Sequence, residues 1–298
     1  MSNNYVTLPS RGILAIDGPD RATFLQGLVS NDVTQAGPSR AVYAAFLTPQ
    51  GKYLHDFFIV ELGEKLLLDG EAERLPDLQR RLKMYKLRSK ITLEDAGAQF
   101  SVTALFGPGI WQALGLTAEP GAAVPLGGGV VFADPRLAGL GARAILPRGT
   151  EREVLEAAGF TPAEAASYER LRLEAGVPDG SRDMVVEKAI LLENNLDELH
   201  AISWQKGCYM GQELTARTRY RGLVRKRLFP VIAEGALPEP GTVVMLGDKE
   251  AGEVRSGAGD RALALLRLEE VARAEAEGLP LLAGETRLVP VKPDWVNF

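Results

Sequence analysis

The stretch "LDELHAISWQKGCYMGQELTARTRYRGLVRKRL", residues 196–228, holds the only cysteine of a 298-residue chain. Cys208 lies between Gly207 and Tyr209, follows Lys206, and is followed closely by Gly211, Gln212 and Glu213. Gly207 permits a close backbone approach or a positive φ. "GQELTARTRY" is rich in helix formers, with Glu213 and Arg217 at i and i+4. A helix starting near Tyr209 puts Cys208 at its N-terminus, where the dipole favours a thiolate and Lys206 adds positive charge. Arg217, Arg219, Arg221, Arg225, Lys226 and Arg227 make the block basic. Such a block suits an anionic ligand, or it is a solvated surface. A lone cysteine is likewise either a small buried hydrophobe or a functional thiol, because its reactivity depends on exposure.

Outward from this stretch, the composition sets bounds. The length suggests about two domains at ~150 residues each. Apolar residues make up 46% of the chain and charged residues 24%, enough to build a substantial core. The formal net charge of −5 argues against broad nonspecific binding to nucleic acid. A single cysteine forms no internal disulfide, which fits a reducing compartment. "MSNNYVTLPSRG" lacks a basic region followed by an apolar one, so no secretory signal is expected. No run reaches the ~20 apolar residues of a membrane span. The expectation is a soluble cytoplasmic protein. His55 and His200 are the only histidines, far apart and without a close cysteine, so no metal site is expected. "LGGGVV" at 126–131 reads as a tight turn before a strand, not a phosphate loop.

Strands are predicted at "GILAI", "AVYAAFL", "KYLHDFFIVEL", "KLLLD", "KITLED", "FSVTALF", "GVVFAD" and "GARAIL". Asp20 is placed to cap a helix carrying Phe24, Leu25 and Leu28. Residues 71–87 show a Leu75, Leu78, Leu82, Leu87 stripe with cations between. Two helices are predicted over 150–176, the second with Thr161 as N-cap, Pro162 at its first position and Gly176 as its stop. Beyond residue 225 short strands alternate with "GALPEPG", "GDK" and "SGAGD", the texture of a small antiparallel barrel or sandwich. The fold class is α+β, divided into residues 1–224 and 225–298.

"KGCYMGQE" resembles the K-G-C-Y-x-G-Q-E signature of the folate-binding YgfZ family, iron–sulfur cluster assembly and maintenance proteins related to the glycine cleavage T-protein. "ERLRLEAGVPDGSRDM" resembles that family's R-x-E-x-G-x-P segment, and "GPDRATFLQGLVSNDVT" and "LTPQGKYLHDFFIV" resemble its first helix and hairpin. The resemblance implies a three-lobed, T-protein-like fold: a mixed α+β portion and a C-terminal antiparallel β-barrel round a cavity for tetrahydrofolate or a related reduced folate. It implies transient work with iron–sulfur enzymes or cluster carriers, supporting [4Fe–4S] enzymes that in bacteria include one modifying tRNA.

Carried over residue by residue, Lys206, Gly207, Cys208, Tyr209, Gly211, Gln212 and Glu213 match the signature, with Cys208 as the functional thiol, and Arg217 fits the arginine after it. Gln26, Gly27, Asn31 and Asp32 fit the first-helix motif, and Gly51 and Lys52 the hairpin turn. Glu174 is either the carboxylate that holds a pterin edge or a surface charge at a helix end; Asn31 and Asp32 are either folate contacts or an ordinary cap and turn. Tyr168 stands for an aromatic before the R-x-E-x-G segment, and Trp204 is expected to pack in the core. "SRGILAI" lacks the pocket tryptophan of some members. The alternative function is a tetrahydrofolate-dependent aminomethyltransferase, although the T-protein does not need the cysteine signature. Strong direct binding to nucleic acid is not expected.

Overall fold

Strands with apolar residues at every position need cover on both faces, and the runs around Ile13, Phe46 and Phe57 are buried along nearly their whole length. The computed structural model describes residues 2–222 and 224–298. The chain divides into two compact units. Met1–Leu47, Leu54–Tyr168 and His200–Met210 form the first; Thr48–Tyr53, Glu169–Leu199 and Gly211–Phe298 form the second.

The first unit holds two sheets. One is ordered β3 (Val42–Leu47), β4 (Tyr53–Leu62), β5 (Lys65–Glu71), β2 (Arg11–Asp17), β6 (Thr92–Asp95). The other is ordered β11 (Phe160–Pro162), β1 (Asn3–Thr7), β7 (Phe100–Phe106), β10 (Ala142–Pro147), β9 (Gly129–Ala133), β8 (Ala123–Leu126). Helix α1 is Arg21–Gln26, α2 Leu75–Tyr85, α3 Ile110–Leu114 and α4 Glu151–Ala157; α5 (Ala165–Ala175) belongs to the first unit up to Tyr168 and to the second from Glu169 on. The glycine turn at 127–128 joins β8 to β9 as an antiparallel hairpin.

Several local expectations change. Phe160–Pro162 is a strand, not the start of a helix. The free edge of β1 pairs with it in parallel, Thr161 Oγ1 donates to the Asn3 carbonyl at 3.2 Å, and α5 begins only at Ala165. Asp20 does not cap α1 with its side chain; its carboxylate accepts from the Lys90 N–H at 2.7 Å. Leu28 falls beyond the end of α1. Leu75, Leu78 and Leu82 are buried as the stripe predicts, but Leu87 lies past the end of α2 and is exposed.

The core of the first unit contains charge that composition does not reveal. Arg11 donates to Asp69 Oδ1 at 2.7 Å, Arg143 to Asp69 Oδ2 at 2.7 Å, and Arg136 to Asp134 Oδ2 at 2.8 Å; all five side chains are buried. The guanidinium carbon of Arg143 stands 4.2 Å from the Phe58 ring centroid and that of Arg136 4.9 Å. Arg143 and Asp134 belong to one sheet's side and Arg11 and Asp69 to the other, so the network ties the two sheets together. Such buried ions persist only when each is paired.

The second unit is built on a closed six-stranded barrel: β12 (Lys226–Glu234), β15 (Arg261–Arg267), β14 (Lys249–Ala258), β13 (Val243–Leu246), β16 (Leu281–Ala283), β17 (Thr286–Pro290), returning to β12. Closure removes the sheet edges. Phe229, Val244, Val254 and Leu266 lie in its core, covered by α7 (Leu268–Glu277), a helix the sequence reading did not foresee. Segment 169–199 is pinned to this unit. Arg172 donates to Asp183 at 3.0 Å, Glu169 at 2.6 Å, Ser256 Oγ at 2.8 Å and the Val177 carbonyl at 2.8 Å. Arg227 donates to the Leu192 carbonyl at 2.6 Å and to Asp197 at 2.9 Å.

Candidate functional site

In the first unit the turn after α1 clasps the loop that carries Cys208. Ser30 Oγ donates to the Ala201 carbonyl at 2.6 Å, and the Ser203 N–H donates back to the Ser30 carbonyl at 3.0 Å. Asn31 Nδ2 donates to the carbonyls of His200 and Tyr43, each at 2.7 Å. Lys206 Nζ donates to the carbonyls of Val29 at 2.7 Å and Asn31 at 2.6 Å. The Met210 N–H reaches the Gly27 carbonyl at 3.1 Å. Two motifs far apart in sequence are one structure here.

Cys208 is exposed at the crest of this loop. Tyr209 beside it is buried, with Lys206 Nζ 5.4 Å from its ring centroid. Burial pushes the Lys206 ammonium down to about 8, against the pull of Asp32. At neutral pH it remains an ammonium, which its two carbonyl acceptors require. Gly207 has a φ of +90°. Trp204 is only partly buried and does not join the core as expected.

The expected electrostatic setting of Cys208 is corrected. Helix α6 runs Gln212–Tyr220 with Gly211 as its N-cap, so Cys208 precedes the helix rather than beginning it. The residue that stops the helix reaching back is Gly211, at a φ of +82°. The Lys206 ammonium, expected to favour a thiolate, is engaged by backbone carbonyls. What distinguishes Cys208 is exposure on a held loop.

Of the residues expected at a folate cavity, Gln26, Asn31, Asp32 and Tyr168 belong to the first unit and Glu174 to the second. Gln26 donates to Asp32 at 2.9 Å and accepts from the Val33 N–H at 2.8 Å. Burial works against the Asp32 charge, but hydrogen bonds from Thr34, Gln26 and Gln35 hold its carboxyl below the usual range. Gln26, Asn31 and Asp32 thus form a closed set of cap, turn and clasp. Tyr168 packs with Phe106 at 5.8 Å between centroids, and its buried hydroxyl has no hydrogen-bond partner among the described residues. Glu174 lies in the second unit, on an exposed face of α5, where Arg170 at 2.8 Å and Arg261 at 3.6 Å take its carboxylate. The surface alternative for Glu174 is the one the geometry gives.

Within the second unit the start of α6 meets the turn 48–52. A Cβ on Gly51, whose φ is +80°, would stand 2.7 Å from the Gly211 carbonyl oxygen and 2.7 Å from Leu214 Cβ. Glu213 and Arg217 are exposed on α6, Gln212 is partly buried at its start, and Lys52 continues the turn. Of the basic stretch, Arg217, Arg219, Arg221 and Arg225 are exposed, but Arg227 is buried and paired with Asp197. Among the described residues no group of three or more His, Cys, Asp or Glu could hold a metal ion, and no helix is long and apolar enough to cross a membrane. Sequence reasoning missed Ser30 and named no role for Arg172, although Arg172 is the arginine of the R-x-E-x-G-x-P segment. Ser30 differs from any surface serine only by its place in "VSND", and Arg172 only by standing in "RLRLEAG".

The fold and the barrel define a class. The structure matches the glycine cleavage system aminomethyltransferase T from Bartonella henselae with a TM-score of 0.77 at 17% identity, covering 99% of this chain and 86% of that one. This shows a T-protein-like fold, mixed α+β with a closed antiparallel C-terminal barrel. Residues 225–298 match the CAF17 C-terminal beta-barrel domain. Among curated proteins, the chain is 34% identical to the mitochondrial iron–sulfur cluster assembly factor IBA57 of Mus musculus, over 97% of this chain and 84% of that protein. It is 35% identical to the human protein of that name, over 89% of this chain and 77% of the other. The chain belongs to the IBA57 family of iron–sulfur cluster assembly factors. The relatives thus carry the IBA57 name rather than the YgfZ name of the resemblance. The cytoplasmic expectation is also corrected, since these relatives are mitochondrial.

Proposed function

We propose that this chain works in iron–sulfur cluster assembly and acts through the Cys208 thiol. The observation that carries this reading is the exposed sulfur on a loop clasped by Gly27 to Asn31. A loop already held in place presents its thiol without an ordering cost on contact. One thiolate supplies one ligand where a [4Fe–4S] cluster usually has four. The other ligands come from a partner, so the cluster is cargo shared across a transient complex. The partners are iron–sulfur enzymes or cluster carriers, with tRNA-modifying [4Fe–4S] enzymes among the clients. Direct binding to nucleic acid is weak, in keeping with the net charge of −5 and the burial of Arg227. The module boundary lies between residues 224 and 225.

Binding of tetrahydrofolate or a related reduced folate is the finer part of the proposal. The T-protein-like fold supports it, and the unpartnered Tyr168 hydroxyl is the polar group that fits such a ligand. Gln26, Asn31 and Asp32 do not fit a pterin-holding role, because their polar atoms are engaged with one another and with the backbone. Glu174 does not fit either, being ion-paired. No step of the cluster chemistry is therefore routed through a folate.

The test is anaerobic mixing with a [4Fe–4S]-loaded carrier, followed by size-exclusion chromatography with iron analysis. The wild type should co-elute with iron and carrier, and Cys208→Ser should not. Equal iron in the Cys208→Ser complex would remove the thiol's role. Calorimetry with tetrahydrofolate tests the folate part separately, and no heat up to millimolar ligand would end it.

A further inference from the structure

Between Leu78 and Ile91 the chain has no aspartate or glutamate, while Arg80, Arg81, Lys83, Lys86, Arg88 and Lys90 are cationic. Arg80 and Arg81 pair with Asp77 at the base of α2. Lys83, Lys86, Arg88 and Lys90 have no carboxylate ion-pair partner among the described residues; the carboxylate of Asp20 accepts from the backbone N–H of Lys90. In a chain of net charge −5 this is a concentrated positive tip.

The same tip is apolar. Tyr85 is 37% exposed, Met84 56% and Leu87 88%. The inward face of α2 is already used, with Leu75, Leu78 and Leu82 buried, and Tyr85 leans edge-on against Phe46 at 6.3 Å between centroids. Leu87, directly after the C-cap of α2, adopts a φ of +44°, the left-handed conformation in which helices often end, though seldom with a leucine.

We infer that this tip is a docking surface for anionic lipid, with Met84 and Leu87 entering the acyl boundary and Lys83, Lys86, Arg88 and Lys90 meeting lipid phosphates. Three features favour lipid over a folded partner. The patch spans about eight residues, well short of the ~20–30 a side of a stable protein interface. Lysine, depleted at protein interfaces, supplies most of its charge, whereas a lipid surface takes point charges without a fixed geometry. Apolar side chains ringed by cations are what an interfacial anchor needs. An acidic protein or an RNA would take the charges but leave Leu87 and Met84 without an apolar host.

Co-sedimentation with phosphatidylcholine vesicles, with and without phosphatidylglycerol, tests this on the full chain. The wild type should bind only the mixed vesicles and should release in high salt. Leu87→Ser should weaken binding about 10-fold. The double variant Lys83→Glu, Arg88→Glu should weaken it at least ~30-fold, at about one fivefold step or more per cation. A control with the same charge change at other exposed sites, Lys188→Glu with Lys249→Glu, should bind as the wild type does. Failure to bind the mixed vesicles, equal binding to phosphatidylcholine alone, or an equal loss in the control would overturn the inference. So would a wild type that ignores vesicles but binds polyglutamate or tRNA through Lys83 and Arg88.

Discussion

Asn31 holds the carbonyls of both Tyr43 and His200, so its side chain is the hinge pin of the cysteine loop. Asn31→Ala leaves the buried Tyr43 carbonyl without this donor and should cost about 1–3 kcal/mol. A urea midpoint equal to the wild type's would show that water replaces the amide. At Cys208 the opposite holds. The residue is exposed and bonded to nothing structural, so Cys208→Ser should change stability by less than about 0.5 kcal/mol in the same assay. His55 gives a pH dependence. Burial pushes its imidazole from 6.5 down to about 4, the positive Arg74 adds to the push, and the bond to Asp77 opposes it. The unfolded chain takes up this proton near 6.5 and the folded chain only near 4. The stabilisation is therefore complete above the first value and is lost as pH falls toward the second, by at most about 3 kcal/mol. Urea midpoints measured across that window should fall for the wild type and fall less for His55→Gln. Of these residues, sequence singled out Cys208 through the signature and Asn31 through the first-helix motif. The partners of Asn31 were not legible, because 169 positions separate it from His200.

At the scale of elements, the turn 48–52 and the start of α6 meet so closely that only glycine fits at 51. Gly51→Ala must move the Gly211 carbonyl or Leu214 and also adopt an unfavourable φ. It should cost more than about 1 kcal/mol, and thermal melting would read this as a lowered midpoint. The motif made Gly51 and Gly211 visible in sequence, but not that they touch. Most strands were legible because unbroken apolar runs flanked by turn residues have few other outcomes. The short strands β1, β8, β16 and β17 were not foreseen, and Phe160–Pro162 carried a strong helix-start pattern in Thr161-Pro162. The open edge of β1 outweighed that local preference. Helix α7 was missed because it interrupts a run of short strands, although "EVARAEAEG" has the apolar spacing and terminal glycine of a helix.

For the whole molecule, a mild net charge conceals a core of paired ions. Arg143 bonds Asp69 and Asp134 together, and Arg143→Met leaves both carboxylates short of a cation. Denaturant unfolding should show a loss of about 3–5 kcal/mol, and a small loss would mean that Arg11 and Arg136 suffice. Sequence could not announce this network, since "LLLDG" and "ARAIL" each show one charge in an apolar strand with no hint of its partner. The barrel was legible from texture, and the T-protein-like fold from motifs spread along the chain. On the proposed function, this scaffold holds one thiol in the open for iron–sulfur chemistry. The most direct test is the activity of [4Fe–4S] enzymes in cells lacking the protein, complemented with wild type or Cys208→Ser at equal expression and matched melting temperature. The wild type should restore activity and Cys208→Ser should not. Full restoration by Cys208→Ser would mean that the thiol is dispensable.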